Sequence, residues 1–308
     1  MKLSIVIICW NDAECLGACL ESLYAHKAPP FDFEVIVSDN GSTDGSPELV
    51  ARDFPWVRLL ANPGNLGFGP GNNAGAALAK GEYLLILNPD TIVHRGALER
   101  LVAFLDAHPE AGAVGPRVLN TDGSFQLSAH PLPSFANFLV KALFLRGLGH
   151  VIPGFPADEY MGWKGDKTRT VGFVAACALL LRTELFERLG GFDPRFKHQF
   201  EDTDLCARIW KKGLSVYYYP KAEITHIRGA NRGRYPLDVL KKAEFSKYEY
   251  FRKHFGNLGL LRLINIIHCS LRAAGLSLLG RKERARTFTS LLFWHAKNEI
   301  FSKAIPHN

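Results

Sequence analysis

Short apolar runs alternate with helical periodicities from residue 3 to residue 107, and no other feature restricts the fold of this chain as much. Leu3–Ile8 is a continuous β-branched run, Glu34–Ser38 (Glu-Val-Ile-Val-Ser) is a second, and Val57–Leu60 and Tyr83–Leu87 add two more. Each has the length and composition of a strand buried on both faces. Behind Asp12, a residue placed to cap a helix, Cys15, Leu16, Cys19, Leu20 and Leu23 recur at helical spacing. Further helices are expected near Pro47–Phe54, over Asn72–Ala79 and over Ala97–Ala107. Strand-helix-strand repeats require right-handed crossovers, so the spacing predicts an α/β fold with a mainly parallel sheet. Ligands of such sheets bind beyond the carboxyl ends of the strands.

Beyond Ala107 the order is less regular. Residues 112–170 hold Pro- and Gly-rich stretches around Pro131, Pro133, Pro153, Gly154 and Pro156, the composition of a long functional or partly disordered loop. Val171–Arg182 reads as one apolar strand, followed by a helix to Leu189 and a Gly190-Gly191 stop; Glu201–Lys212 reads as helix and Val216–Tyr219 as strand. At 308 residues, 47% hydrophobic and 22% charged, the chain can bury a sizeable core. One domain over 1–240 with a helical extension over 241–308 is the expected organisation.

Charge divides along the same line. The extension carries 13 Lys and Arg against 4 Asp and Glu, a balance of +9 within a total of +7, so the first 240 residues sum to −2. A basic tail on a neutral body argues against nucleic acid and for an anionic membrane surface. Within the tail, Leu258–Leu279 is rich in Leu and Ile but is interrupted by Arg262, Asn265, Arg272 and Gly275, too polar to span a bilayer. It reads as an interfacial helix, with an ordinary amphipathic helix packed on the domain as the alternative. The opening run, Met1 to Trp10, stops at Asn11-Asp12 before any cleavage site and reads as a buried strand, not a leader. Six cysteines without a C-x-x-C pair fit a reducing cytoplasm and no zinc site.

Five polar clusters follow the apolar runs. Asp39-Asn40-Gly41-Ser42-Thr43-Asp44 follows the second strand, where Asp39 and Asn40 can meet a base or ribose; Asp44 is equally a helix cap. Asn62 to Gly75, including Asn65 and Gly67, is a glycine-rich loop entering a helix, suited to close approach by phosphate or sugar. Inside it Gly69-Pro70-Gly71-Asn72-Asn73-Ala74 fits the dinucleotide pattern, which raises an NAD(P)-dependent dehydrogenase as a rival, although the pattern should follow the first strand. Asn88-Pro89-Asp90 ends the fourth strand, either as a turn or as a place for a metal-bound diphosphate. Glu201, Asp202 and Asp204 open a helix; they complement its dipole, and their crowding raises at least one pKa, as a proton acceptor requires. His226 follows the last apolar run, as a structural residue or a ligand.

Taken together these motifs resemble glycosyltransferase family 2, in particular its rhamnosyltransferase-like branch. The resemblance spans roughly residues 3–230 through Ile7-Ile8-Cys9-Trp10-Asn11, the Asp39–Asp44 turn, Asn65-Leu66-Gly67-Phe68-Gly69, Asn88-Pro89-Asp90, Gly190-Gly191-Phe192-Asp193 and Glu201-Asp202-Thr203-Asp204-Leu205. It implies a GT-A fold, with a Rossmann-like nucleotide-binding sheet flanked by helices, a nucleotide-sugar half at about 1–115 and an acceptor half at about 116–240. It also implies a nucleotide-diphosphate-sugar donor, dTDP-rhamnose by branch, transfer with inversion to a lipid-linked or cell-envelope glycan, and a divalent metal, Mg²⁺ or Mn²⁺. Carried onto this chain, Asp202 is the general base and Asp90 and His226 hold the metal. Asn11, Asp39, Asn40, Asn65, Gly67, Asn88 and Arg232 surround the donor. Asn88 stands where the pattern has an acid, so Asp90 alone keeps a full charge there. The enzyme would work in the cytoplasm, peripheral on the inner face of the membrane. A catalytically inactive sugar-nucleotide-binding protein of the same fold is the second rival.

Overall fold

The computed structural model describes residues 1–25, 31–152, 154–227 and 236–297. In chain order the elements are β1 (Leu3–Cys9), α1 (Ala13–Tyr24), β2 (Phe33–Asp39), α2 (Ser46–Asp53), β3 (Arg58–Ala61), α3 (Phe68–Ala76), β4 (Tyr83–Leu87), β5 (Thr91–Val93), α4 (Ala97–Ala107) and β6 (Ala111–Leu119). They continue with β7 (Phe125–Gln126), β8 (Ala129–His130), α5 (Phe135–Ala142), β9 (Arg169–Thr170), β10 (Phe173–Val174), β11 (Ala178–Arg182), α6 (Thr183–Arg188), α7 (Glu201–Lys211) and β12 (Ser215–His226). Three helices close the described chain: α8 (Leu237–His254), α9 (Leu258–Leu278) and α10 (Lys282–Ala296).

These elements form two compact units. The first comprises 1–130 and 163–234 and the second 131–162 and 235–308. The segment 131–162, which the sequence places in the acceptor half, therefore folds with the C-terminal helices, and the sequence boundary at 240 falls inside α8.

The first unit is built on one sheet of order β3-β2-β1-β4-β11-β6-β12-β5, with β7 beside β6 and β9 beside β12. β3, β2, β1 and β4 pair in parallel, as do β6 and β12; β11 runs against both β4 and β6, and β5 against β12. The sheet is mainly parallel, as expected, with a reversed strand at its centre. Successive residues of β1 face opposite sides. Leu3, Ile5 and Ile7 share a core with Leu16 and Leu20 of α1, Val50 of α2 and Leu101 and Leu105 of α4. Val6 and Ile8 face α3, where a Cβ on Gly75 would lie 2.6 Å from Val6 Cγ1 and one on Gly71 2.3 Å from Ile8 Cδ1. Gly71 of the dinucleotide-like pattern thus serves helix-to-sheet contact and Gly69 contact with Phe192, both within α3, which starts at Phe68 and not at Asn72.

Two further differences from the sequence reading have physical causes. β6 lies where the sequence suggested a loop, because its composition, Ala-Gly-Ala-Val-Gly-Pro-Arg-Val-Leu, lacks a β-branched run. Its glycines are required by packing: a Cβ on Gly112 would meet Ile209 of α7 at 2.4 Å, and one on Gly115 would meet Val174 at 2.9 Å. Val171–Arg182 is not one strand but two, β10 and β11, joined by Ala175-Ala176-Cys177.

The second unit packs α9 against α5, α8 and α10. Its interior holds a closed polar ring. Lys247 Nζ donates to Glu244 Oε2 (2.5 Å) and Asn265 Oδ1 (3.1 Å), and Asn265 Nδ2 donates to Tyr248 Oη (3.2 Å). Tyr248 Oη meets His295 Nδ1 at 3.2 Å, and His295 Nε2 returns to Glu244 at 3.5 Å. Burial and the surrounding cations push the His295 imidazole down to about 4, so it serves the ring as a neutral group. Among the described residues no helix is long and apolar enough to cross a membrane.

The turn into β4 gives a test of the sheet's tolerance. Ser4 Oγ accepts from Gly81 N (2.8 Å), and a Cβ on Gly81 would lie 2.4 Å from Ser4 N and 2.6 Å from Leu3 C, backbone atoms that cannot rotate away. Gly81→Ala is expected to cost about 1–3 kcal/mol, measured by urea denaturation; an unchanged midpoint would show that the β1–β4 pair yields more than its packing implies.

Candidate active site

Asp39 ends β2 opposite Cys9 of β1, with 2% of its surface exposed. Its Oδ2 accepts from the N–H groups of Gly41 and Ser42, both at 3.0 Å, while Oδ1 is buried with no hydrogen-bond partner. An unpaired carboxylate oxygen in such a place costs free energy until a donor reaches it. The loop around it is stitched by amides. Asn40 donates to Asn65 Oδ1 (3.3 Å) and Gly67 O (3.2 Å) and accepts from Asn62 Nδ2 (3.0 Å). Asn65 Oδ1 also accepts from Gly67 N (2.9 Å), and Gly67 sits at φ 86 before α3, a conformation open to glycine. Asn11, at φ 52, donates its N–H to Ser42 Oγ (2.9 Å) and accepts from Thr43 N (2.7 Å). Asn11, Asn40 and Asn65 are therefore occupied in holding backbone. The expected cap on α1 comes from elsewhere: Asp12 makes no side-chain cap, and Asp44 accepts from Ala13 N (2.9 Å) and from Ser46 N and Oγ (3.1 and 2.6 Å).

On the other side of β1, β4 delivers Asn88 and Asp90, and β12 ends at His226, paired with Thr91. Asp90 Oδ1 lies 3.2 Å from His226 Nε2, and Asn88 Nδ2 lies 3.4 Å from the same nitrogen. The far ring nitrogen, Nδ1, meets Gln126 Oε1 at 2.8 Å, while Gln126 Nε2 donates to Asn120 Oδ1 (2.7 Å) and His226 O (3.3 Å). With both Gln126 donations fixed, its oxygen faces His226 and Nδ1 carries the proton. In the neutral ring Nε2 then turns a lone pair toward the Asp90 carboxylate. A lone pair facing a carboxylate at this distance is stabilised by a shared cation, and a second residue fixing the ring is the usual partner of a metal-ligating histidine. Among the described residues no group of three or more His, Cys, Asp or Glu side chains is placed to hold a metal ion.

The acidic helix treats its three carboxylates differently. Gln199 and Phe200, at φ 65 and 71, are consecutive non-glycine residues in the left-handed region, a strain that fixes how α7 begins. Asp204 is fully buried and bonds Arg208 Nε (2.7 Å), whose other nitrogens donate to Leu189 O (2.7 Å) and Gly191 O (2.8 Å). Gly191-Phe192 is also gripped by Asn73 of α3, which accepts from Phe192 N (2.8 Å) and donates to its carbonyl (2.7 Å). Glu201 is 6% exposed, beside Gly69, and burial followed by the nearby Asp202 charge raises its pKa to about 7. Asp202 is partly exposed, accepting from Ala176 N (3.1 Å) and Thr203 N (2.6 Å). Burial is the largest influence on it and holds its carboxyl above the usual carboxylate range, although those N–H groups and nearby His130 pull the other way.

The connection Ala175–Cys177 joins the two halves of the site: Ala176 N holds Asp202, and Cys177 O accepts from Asn88 N (3.0 Å). Burial pushes the Cys177 thiol up to about 12, and the nearby Asp90 and Asp202 charges act in the same direction. Of the residues expected from sequence, Asp39 thus stands at the end of β2, Asn88, Asp90 and His226 meet beyond the end of β4 on the same edge of the sheet, and Asp202 is tied to the second group through Ala176 and Cys177. Arg232 lies outside the described residues. Gln126 was not foreseen, since it lies on a two-residue strand within the stretch read as loop; nor was Ala176, which acts through its backbone.

The chain is similar to known proteins over this whole region. A model described as glycosyl transferase family 2 matches residues 4–189, and one described as the N-terminal domain of galactosyltransferase matches 157–230. The chain is 31% identical over 273 residues to an N-acetylglucosaminyl-diphospho-decaprenol L-rhamnosyltransferase of Mycobacterium tuberculosis, covering 82% of this chain and 85% of that protein. It is 30% identical over 250 residues to the succinoglycan biosynthesis protein ExoA of Rhizobium meliloti, covering 75% and 68%. Among solved structures, the mannosyltransferase PcManGT from Pyrobaculum calidifontis in complex with GDP-Man and Mn²⁺ shares the fold with a TM-score of 0.58 at 18% identity, over 97% of this chain and 81% of that one.

Glu201 gives a test of the electrostatics. Its pKa of about 7 in the folded chain lies above the ordinary 4.5. As pH rises between these values the unfolded chain releases a proton that the native state retains, so stability falls and the loss is complete above pH 7. Glu201→Gln removes that loss: it is expected to raise stability at pH 8 by on the order of 1–3 kcal/mol, with little effect at pH 4. Urea midpoints at the two pH values decide it, and equal midpoints at pH 8 would contradict the burial argument.

Proposed function

Because the chain belongs to glycosyl transferase family 2, we propose that it moves a sugar, L-rhamnose from dTDP-rhamnose, onto a hydroxyl of a lipid-linked cell-envelope glycan, with inversion at the anomeric carbon. The observation that carries this reading is the placement of Asp202, a carboxylate partly buried on α7 and linked through Ala176-Cys177 to Asn88. The choice of sugar and acceptor is supported by the mycobacterial rhamnosyltransferase, whose name specifies a decaprenol-linked substrate.

In this reading the unpaired Oδ1 of Asp39 accepts an N–H of the nucleobase, and the backbone held by Asn11, Asn40, Asn65 and Gly67 lines the nucleoside. Asn88 and Arg232 contact the diphosphate. Asp90 and His226 fit a divalent cation, Mg²⁺ or Mn²⁺, which when bound offsets the charge that develops on the diphosphate. Asp202 takes the acceptor's hydroxyl proton while that oxygen bonds to the anomeric carbon. The bond to the nucleotide diphosphate breaks on the opposite face, and its electron pair leaves with the diphosphate. No covalent enzyme intermediate is required. The site would work at the cytoplasmic face of the membrane, where a nucleotide sugar and a polyprenol-linked acceptor can meet. The dehydrogenase rival loses its main support, since its glycine pattern lies inside α3 and is used in packing against β1. Turnover separates the proposal from an inactive sugar-nucleotide-binding protein.

Asp202→Asn is expected to leave nucleotide binding nearly intact and to lower transfer by about 10²-fold or more. Near-normal turnover would remove Asp202 from its role, and a failure of the parent protein to use any sugar in a panel of nucleotide donors would remove the enzyme reading itself. Gln126→Leu, which leaves the metal ligands in place but frees the His226 ring, is expected to raise the Mn²⁺ concentration for half-maximal transfer by roughly 10–100-fold. An unchanged Mn²⁺ requirement would detach His226 from the metal.

A further inference from the structure

Helix α9 is apolar on two sides: it buries Leu261, Ile264 and Cys269 and yet leaves a row of further apolar residues uncovered. Two of its polar residues are turned inward: Arg262 Nε donates to His295 O (2.8 Å) and another of its nitrogens to Ala296 O, while Asn265 is buried in the polar ring. The outward side carries Leu260, Leu263, Ile267, Leu271, Ala274 and Leu278, which follow one another at steps of three or four residues and so form a single stripe. At ~1.5 Å per residue that stripe is about 27 Å long. Leu263, Leu271 and Leu278 are 54%, 44% and 89% exposed, and Leu279 just beyond is 72% exposed. Among the exposed residues of α9 only Arg272 is charged. A water-facing helix normally shows charge where this one shows leucine, and an apolar surface of this extent marks a docking face.

The flanks identify the occupant. The exposed turn and first residues of α10 hold Arg281, Lys282, Arg284 and Arg286 against the single acid Glu283. Arg272 lies over the rings of Phe144 (5.4 Å) and Phe288 (5.6 Å). Phe144 itself is 52% exposed and held at φ 58, so strain and hydration both oppose its position in water. Leucines in a stripe, followed in the chain by exposed cations and accompanied by an exposed phenylalanine under Arg272, match the boundary between anionic headgroups and acyl chains. We propose that α9 lies flat in that boundary, its leucine stripe inserted and the 281–286 cations on the headgroups. This deepens the reading of a lipid-linked acceptor, but its test measures partitioning and does not depend on transfer.

The full chain would be sedimented with vesicles of phosphatidylcholine alone and of phosphatidylcholine with phosphatidylglycerol. Binding to the anionic vesicles, weakened by salt, is expected. The pair Leu263→Ser and Leu271→Ser is expected to lower it by about tenfold or more, and Arg284→Glu with Arg286→Glu to do the same. Leu271→Trp should keep binding and be quenched by lipids brominated on their acyl chains, which reports insertion directly. Nucleotide-induced thermal shifts, unchanged in every variant, would show that the catalytic unit is folded. Three results would each overturn the proposal: no binding of the parent to anionic vesicles, full binding by the leucine variant, or a dimer in solution that the leucine variant dissolves while vesicle binding is absent.

Discussion

Everything in the catalytic unit depends on the register of three parallel strands. Cys9 lies opposite Asp39, and Ile7 opposite Leu87, so Asn11, Asp39 and Asn88 emerge from one edge of the sheet within a residue or two of one another. A slip of one residue in either pair would send Asp39 or Asn88 to the wrong face and bury polar groups in the core beneath α1 and α4. The sheet is held in register by that core, by α3 lying against β1 through its glycines, and by Ser4, whose hydroxyl takes the turn before β4 and donates to Glu34 (2.6 Å).

The strain in the first unit is concentrated around the candidate site. Of four non-glycine residues with positive φ among the described residues, Asn11, Gln199 and Phe200 border the site. Gln199 and Phe200 set the angle at which α7 presents Glu201 and Asp202. The Asp204–Arg208 pair beneath them is an anchor, tying the first turn of the helix to the Gly190-Gly191 turn and through Asn73 to α3. One run of acids thus supplies an internal strut, a carboxyl whose pKa is raised to about 7 by burial and the nearby Asp202 charge, and a carboxyl held by the N–H groups of Ala176 and Thr203, and environment alone separates the three.

How much of this could be seen in the sequence follows from which groups do the work. Asp39, Asn88, Asp90 and Asp202 were legible because each stands at the end of an apolar run or the start of a periodic one, where a polar side chain has nowhere to go but the sheet edge. Gln126 was not, since a two-residue strand has no periodicity to read, and Ala176 contributes only an N–H. β6 escaped notice because glycines demanded by Ile209 and Val174 erase the β-branched signature. The polarity of α9 was legible, but the direction in which Asn265 faces was not, because the ring that consumes it is drawn from α8 and α10, far along the chain.

The division of the chain has a consequence for its synthesis. Residues 131–162 belong with a partner set that begins at 235, whereas residues 163–234 belong with everything made before 131. The sheet of the first unit has all its strands as soon as β12 has left the ribosome. The inserted segment, by contrast, must wait through the synthesis of β9 to β12 with Phe135 and Phe138 unclaimed, until Phe251 and Phe255 arrive to pack against them. A nascent chain that stalls before α8 therefore displays a finished sheet and an uncovered, apolar α5, a species that chaperones would recognise.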